Sequence, residues 1–87
     1  MEKKQFVGID VSKDTLDVFI YGFEKYFIVE NNPKGFVELL ETINKITKCK
    51  NEEIIFCFEN TGKYSKLLSV FFHSELIPFV MEPALKI

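Results

Sequence analysis

The chain has 87 residues, which is the size of one small domain. Hydrophobic residues make up 47% of it and charged residues 28%, a composition that excludes a disordered protein. No apolar run reaches the roughly 18 residues of a membrane span, and Asp10 interrupts the first apolar stretch. We therefore expect a cytoplasmic protein without a signal peptide or a membrane partner. The net charge of −2 argues only weakly against nucleic-acid binding, because lysines can gather on one face.

Three β-type segments fill the first 30 residues. They are Gln5–Val11, an alternating segment at residues 15–21, and Lys25–Glu30. The connections at residues 12–14 and 22–24 are short and have turn composition. Three strands with two tight connections predict an antiparallel meander.

A helical pattern follows the meander. Asn32 is a suitable cap before Pro33, and an apolar stripe continues at helical spacing through Phe36, Leu39, Leu40, Ile43 and Ile46. Gly35 should weaken this helix by up to ~1 kcal/mol relative to alanine. Residues 54–58 then form a continuous apolar run, which is typical of a strand covered on both faces. In that run Cys57 is predicted to be a small buried hydrophobe.

A second helix is signalled by residues 59–62, and its apolar stripe would contain Tyr64, Leu67, Leu68, Phe71 and Phe72. Residues 76–81 predict a last strand, with Pro78 at an edge or a bulge and Pro83 closing it. The predicted order is β1-β2-β3-α1-β4-α2-β5. A right-handed crossover would place the fourth strand parallel to the first, giving the sheet order 3-2-1-4-5. By analogy this α/β layout is ribonuclease H-like.

Two carboxylates stand where carboxylates are unfavourable. Asp10 lies within the first apolar strand, and Glu59 directly follows the apolar run of the fourth. If these strands are adjacent, about 4.8 Å apart, both side chains reach a common ion. Oxygen ligands of this kind suit Mg²⁺ or Mn²⁺. The alternative is structural: Asp10 begins the following turn, and Glu59 interacts with the amino end of the second helix.

Two motifs carry a resemblance to a known family. Residues 7–18 (VGIDVSKDTLDV) resemble the opening of the DEDD-type insertion-sequence transposases related to the Piv DNA invertases, and residues 59–64 (ENTGKY) are similar to their E-x-T-G-x-Y segment. Asn32 and Gly35 also fall where the family tends to have them. Near the end, where the family often reads N-P-x-x-x-K, the chain keeps Pro83 and Lys86 but has Glu82 in place of the asparagine.

The resemblance implies a RuvC-like, ribonuclease H-like fold in which Asp10 and Glu59 are the first two catalytic, metal-binding acids. The family's closing D-x-x-D pair and its serine-bearing carboxyl-terminal domain would come after Ile87. Residues 1–87 would thus be the amino-terminal part of a catalytic domain for metal-dependent DNA strand cleavage and transfer in transposition. Its partners would be DNA at the transposon ends and at the target, with the involvement of a guide RNA left open.

Other residues near these acids are candidates for DNA binding. Thr61 and Gly62 open the second helix, where backbone amides can hold a phosphate, although an ordinary cap by Asn60 or Thr61 is the commoner arrangement. Lys13 and Lys63 flank the proposed site and could contact DNA phosphates or simply be solvated. Ser12 could steady Asp10 or shape the turn.

Two further functions stay open. Actin-like ATPases and sugar kinases also begin G-I-D, but their phosphate loop requires a glycine two residues after the aspartate, where this chain has Ser12. In a non-enzymatic interaction module, both acids would be structural. We also expect a homo-oligomer, because a truncated sheet of this kind leaves apolar surface uncovered.

Overall fold

The computed structural model describes residues 5–82, which form a five-stranded mixed sheet and two α-helices. Two short 3-10 turns, at Tyr21–Phe23 and Asn51–Glu53, join these elements. No helix in the described part of the chain is long and apolar enough to cross a membrane. The main elements are β1 (Gln5–Val11), β2 (Thr15–Ile20), β3 (Lys25–Glu30), α1 (Pro33–Thr47), β4 (Ile54–Glu59), α2 (Lys63–Ser74) and β5 (Phe79–Glu82).

The strands are ordered β3-β2-β1-β4-β5, which confirms the predicted sheet order. β1, β2 and β3 form the expected antiparallel meander, while β4 runs parallel to β1 and β5 parallel to β4. This topology defines a mixed α/β fold and is compatible with a ribonuclease H-like architecture. The finer assignment stays a prediction.

Both helices cover the same face of the sheet. Alternate strand residues point toward them, so that every second side chain of β1, β2 and β4 is buried. The aromatic rings of Phe56 on β4 and Phe72 on α2 lie 4.9 Å apart between centroids, and Phe36 on α1 lies 5.2 Å from Phe71. One hydrophobic core therefore joins the two helices to the sheet.

The opposite face is not covered by any element within residues 5–82, and we call it the open face. It presents the other alternating residues, including Phe6 and Phe19, which are exposed. The prediction that residues 54–58 are covered on both faces is therefore wrong. Ile55 and Cys57 point to the open face and are only half-buried, because α1 and α2 both pack on the other side.

The start of α2 also differs from its prediction. Its N-cap residue is Gly62, and no side chain caps the helix, so the cap predicted at Asn60 or Thr61 is wrong. The Asn60 side chain instead accepts a hydrogen bond from the Gly62 N–H (3.0 Å). Gly62 adopts φ 69° and ψ −125°, a conformation open to glycine and strained for other residues. Tyr64 is 37% exposed rather than core, and Ser65 is buried in its place.

The last strand is shorter than predicted. α2 ends in a tight turn in which the Ile77 N–H donates to the Phe72 carbonyl (2.9 Å). Leu76 lies in this turn with a left-handed φ of 58°, so it cannot begin a strand. β5 therefore starts at Phe79, just after Pro78. Pro83 and Lys86 of the family-like ending lie outside the described residues.

Gly35 has a packing role that its helix propensity does not show. A methyl group at this position would collide with the backbone carbonyl oxygen of Glu30 at the end of β3. Only a glycine lets the first turn of α1 approach the sheet this closely. The Asn32 side chain completes this junction by accepting a hydrogen bond from the Gly35 N–H (2.8 Å).

Replacing Gly35 with alanine will destabilise the protein, although alanine is the better helix former by about 1 kcal/mol. The methyl group must push α1 away from Glu30, and overpacking of this kind costs about 1–3 kcal/mol. We expect the free energy of unfolding, measured with urea, to fall by at least ~1 kcal/mol. The methyl group would collide with the backbone carbonyl of Glu30, which cannot move aside as a flexible side chain can. The control Glu41→Ala, on the exposed side of α1, should stay within about 0.5 kcal/mol of the wild type. A Gly35→Ala protein as stable as the wild type would contradict this account.

Candidate functional site

The two predicted acids lie at the ends of neighbouring parallel strands. The pairing of β1 with β4 runs from Gln5 opposite Ile54 to Ile9 opposite Phe58, so Asp10 and Glu59 come next on each strand. Ile9 and Phe58 are buried under the helices, and the residues after them therefore face the open side. Asp10 and Glu59 are both exposed. At a strand spacing of about 4.8 Å, their carboxylates can approach one ligand.

Two further carboxylates extend this pair into a row. Asp17 on β2 is the direct partner of Asp10, and Glu82 on β5 is the direct partner of Glu59. Directly paired residues point to the same face of a sheet, so four neighbouring strands each contribute one acid. We call Asp17, Asp10, Glu59 and Glu82 the carboxylate row.

Sequence reasoning did not place Asp17 or Glu82 in the site. The position of Asp17 could have been found, because the tight β1–β2 connection pairs Val11 with Leu16 and hence Asp10 with Asp17. Glu82 gave no such signal. Its register on β4 depends on the turn at Leu76 and on the start of β5, which the sequence predicts at residue 76 instead of Phe79.

The carboxylate row concentrates negative charge at one end of the open face. Among residues 5–82, neither Asp10 nor Glu59 forms an ion pair or receives a hydrogen bond from another side chain. Like charges on paired strands repel, which favours a bound cation. No three His, Cys, Asp or Glu side chains within the described residues are grouped closely enough to hold a metal ion together. Asp10 and Glu59 therefore offer two neighbouring carboxylates, and their binding of a metal ion stays a prediction.

The thiol of Cys57 lies on the same face, and its pKa depends on a carboxylate of the row. Burial raises the pKa of this thiol, and the nearby carboxylate of Glu82 raises it further. Cys57 pairs with Val80, two residues before Glu82, so the carboxylate lies diagonally across from the thiol. Cys57 is thus a poor nucleophile near neutral pH, which fits a structural role.

Aromatic side chains occupy the other end of the open face. Phe19 lies 4.8 Å from Tyr26 and 6.5 Å from Tyr21 between ring centroids. The Tyr21 ring lies over Gly8, where a methyl group would come within 3.1 Å of its Cε2 atom. A shallow pocket of about 700 Å³ runs from these rings to the acids and includes Phe6, Tyr21, Cys57, Asp10, Glu59 and Glu82 in its lining.

The predicted DNA-binding residues lie in the two loops that follow the acids. Lys13 is exposed in the β1–β2 turn. Lys63 begins α2, and its Nζ lies 5.6 Å from the centroid of the Tyr64 ring. Thr61 and Gly62 precede α2, where no side chain caps the helix. The N–H groups of Thr61 and Gly62 donate to Ser65 Oγ (3.2 Å) and Asn60 Oδ1 (3.0 Å). All four residues thus lie in the segments that follow Asp10 and Glu59, and their contact with DNA stays a prediction.

Ser12 shapes the turn after Asp10. Its backbone N–H and its hydroxyl both donate to the carbonyl of Thr15, each at 3.0 Å. The alternative, in which Ser12 steadies the Asp10 carboxylate, has no hydrogen bond to support it within the described residues.

No model of a known protein family matches this chain, and no curated protein matches it. The resemblance of residues 7–18 and 59–64 to DEDD-type transposases therefore stays a prediction. In the structure, the two segments place the ends of β1 and β4 next to each other at the same end of the sheet.

Removing the charge of Glu82 will make Cys57 more reactive. In a Cys49→Ala background, Glu82→Gln should lower the pKa of the Cys57 thiol, because a negative neighbour disfavours the thiolate. The half-maximal pH for alkylation by iodoacetamide should therefore move downward, while burial keeps it above that of the unfolded chain. The matched control is Asp17→Asn, two strands away on the same face, which should leave the half-maximal pH for alkylation unchanged. An unchanged profile in Glu82→Gln would place Glu82 away from Cys57 and contradict the β4–β5 register.

Proposed function

We propose that this chain is the amino-terminal part of the RuvC-like catalytic domain of a DEDD-type transposase, which cleaves and transfers DNA strands with a divalent metal ion. The observation that carries the proposal is the parallel register of β1 and β4, which leads Asp10 and Glu59 to neighbouring positions on the open face. These are the first two acids that the family resemblance assigns. Carboxyl ends of parallel strands are also the usual location of sites in open α/β sheets.

Asp10 and Glu59 would hold Mg²⁺ or Mn²⁺. Their donor atoms are all carboxylate oxygens, and no lysine within residues 5–82 neutralises them, which fits a hard divalent cation. When bound, such an ion acts as a Lewis acid on a phosphate and lowers the pKa of a water molecule. The remaining two acids of the family pattern would come from beyond residue 87. Asp17 and Glu82 add negative charge on either side of the pair and would raise the local cation concentration.

DNA would approach from the loops that follow β1 and β4. Lys13 and Lys63 supply positive charge there, and the amides at the start of α2 lack a side-chain cap, which leaves donors suited to a phosphate. The carboxylate row alone repels a DNA backbone. A cation held by Asp10 and Glu59 would offset that repulsion, so metal binding should precede or accompany DNA binding.

The open face supports the expected assembly with a second copy. Phe6, Ile28 and Tyr26 are each more than half exposed there, although they are large apolar or aromatic side chains. Exposed clusters of this kind mark surfaces that another chain or segment covers. We propose that a homo-oligomer of the full-length protein covers part of this face.

The nucleotide-binding alternative is disfavoured by the turn after Asp10. A phosphate loop needs backbone N–H groups that point outward, but the Ser12 N–H is bonded to Thr15 within the turn. The turn also has no glycine to let a nucleotide approach. The interaction-module alternative differs from the proposal in one respect that can be measured, namely whether Asp10 and Glu59 bind a cation together.

Asp10 and Glu59 should bind Mn²⁺ as a pair. In two-dimensional ¹⁵N–¹H spectra of the 87-residue chain, micromolar Mn²⁺ should broaden the amide signals around both residues over the same concentration range. Asp10→Asn and Glu59→Gln should each raise that concentration by about tenfold or more, because one charged ligand is lost. Asp14→Asn, an exposed acid of the β1–β2 turn, is the control and should change little. Broadening that spreads evenly over all exposed acids would refute a shared site.

The 87-residue chain should not nick DNA by itself. It supplies only two of the four acids that the family resemblance requires, so supercoiled plasmid incubated with the chain and Mg²⁺ should stay intact at protein concentrations that saturate the DNA. Strong Mg²⁺-dependent nicking that Asp10→Asn abolishes would show that the described half-site is sufficient.

A further inference from the structure

Asn31 joins the β1–β2 turn to the first turn of α2. It stands between the end of β3 and the cap of α1, on the same edge of the sheet as the ends of β1 and β4. Its side-chain Nδ2 donates one hydrogen bond to the carbonyl of Ser12 and another to the carbonyl of Tyr64, both at 2.9 Å. Its backbone N–H donates to the carbonyl of Asp14, also at 2.9 Å.

These hydrogen bonds lie beyond the last paired residues of β1 and β4, where strand pairing no longer fixes the position of the backbone. The β1–β4 pairing ends at Ile9 and Phe58, one residue before each acid. Ser12 follows Asp10 by two residues, and Tyr64 follows Glu59 by five. The side chain of Asn31 therefore bridges the two segments that follow Asp10 and Glu59. These hydrogen bonds limit how far apart the two segments can lie.

The chemistry of the bridge is specific to an amide. Both acceptors are carbonyl oxygens, so residue 31 must present two N–H donors, and aspartate of the same shape would present only oxygen atoms. The Oδ1 atom of Asn31 is buried and has no hydrogen-bond partner among the described residues. A buried unpaired carbonyl oxygen is unfavourable, and the chain retains it because the two donor bonds fix the orientation of the amide.

We propose that Asn31 is a positioning residue that holds Asp10 and Glu59 at the separation a shared divalent cation requires, without touching the cation. This inference rests on the proposed function. It adds a residue from a third segment, the β3–α1 junction, to the determinants of the site. Residues that orient ligands from behind commonly change metal affinity by about 10- to 100-fold.

The test compares Asn31→Ala with Asn32→Ala. The second variant removes the neighbouring asparagine, whose side chain caps α1 through Gly35 and contacts neither loop after the acids. Loss of a helix cap destabilises the fold, so Asn32→Ala controls for stability alone. Mn²⁺ is titrated into each ¹⁵N-labelled protein well below its melting temperature, and the broadening of the amide signals around Asp10 and Glu59 is followed.

We expect Asn31→Ala to raise the Mn²⁺ concentration for broadening about tenfold and to separate the midpoints of the two regions. Asn32→Ala should keep joint broadening within twofold of the wild-type concentration. If Asn31→Ala does not fold, Asn31→Ser is used. Its single hydroxyl donor can hold at most one of the two carbonyls, so its effect should have the same direction and a smaller size.

Joint broadening at the wild-type concentration in a folded Asn31 variant would overturn the positioning role and leave the proposed function standing. An equal effect of Asn32→Ala would assign the change to stability and also overturn it. Absence of joint broadening in the wild type would overturn both proposals together.

Discussion

The parallel pairing of β1 with β4 is the constraint on which the rest of this structure depends. Val7 and Ile9 on one strand and Phe56 and Phe58 on the other point into the same core, and all four are buried. A slip of one residue in either strand would turn its apolar residues toward the open face and bury its acid. The cost of burying an unpaired charge therefore fixes the register, and the register brings Asp10 beside Glu59. The hydrophobic core and the candidate site both result from the alternation of buried and exposed residues along β1 and β4.

The same alternation creates a conflict on the open face. Aromatic side chains such as Phe6 and Phe19 favour a covering partner, while the carboxylate row at the other end repels any acidic surface. Two copies stacked directly face to face would bring two such rows together, unless cations or lysines lay between them. In the proposed function, an assembly through the aromatic end would leave the acidic end open to DNA and metal, and it would satisfy both demands.

The features that follow from periodicity could be predicted from the sequence. Alternating and helical patterns gave the element order, and the crossover rule then gave the sheet order and the proximity of Asp10 and Glu59. Contacts made by single residues outside the regular strand and helix patterns could not be predicted. Gly35 reads as a weak point of a helix until the carbonyl of Glu30 is found against it. Asn31 reads as part of a loop until the β1–β2 turn and α2 are both placed beside it.

The candidate site is thus shaped by short polar side chains as much as by its acids. The Asn60 side chain accepts a hydrogen bond from the Gly62 N–H, and the backbone N–H of Asn60 donates to the Glu82 carbonyl at 2.7 Å. The buried hydroxyl of Ser65 accepts a hydrogen bond from the Thr61 N–H at 3.2 Å. These bonds shape the segment between β4 and α2, and no side chain caps the first amides of α2. The start of α2 therefore offers backbone donors in the segment that follows Glu59. In the proposed function, these donors would bind a phosphate of the DNA backbone while Asp10 and Glu59 hold the divalent cation beside it.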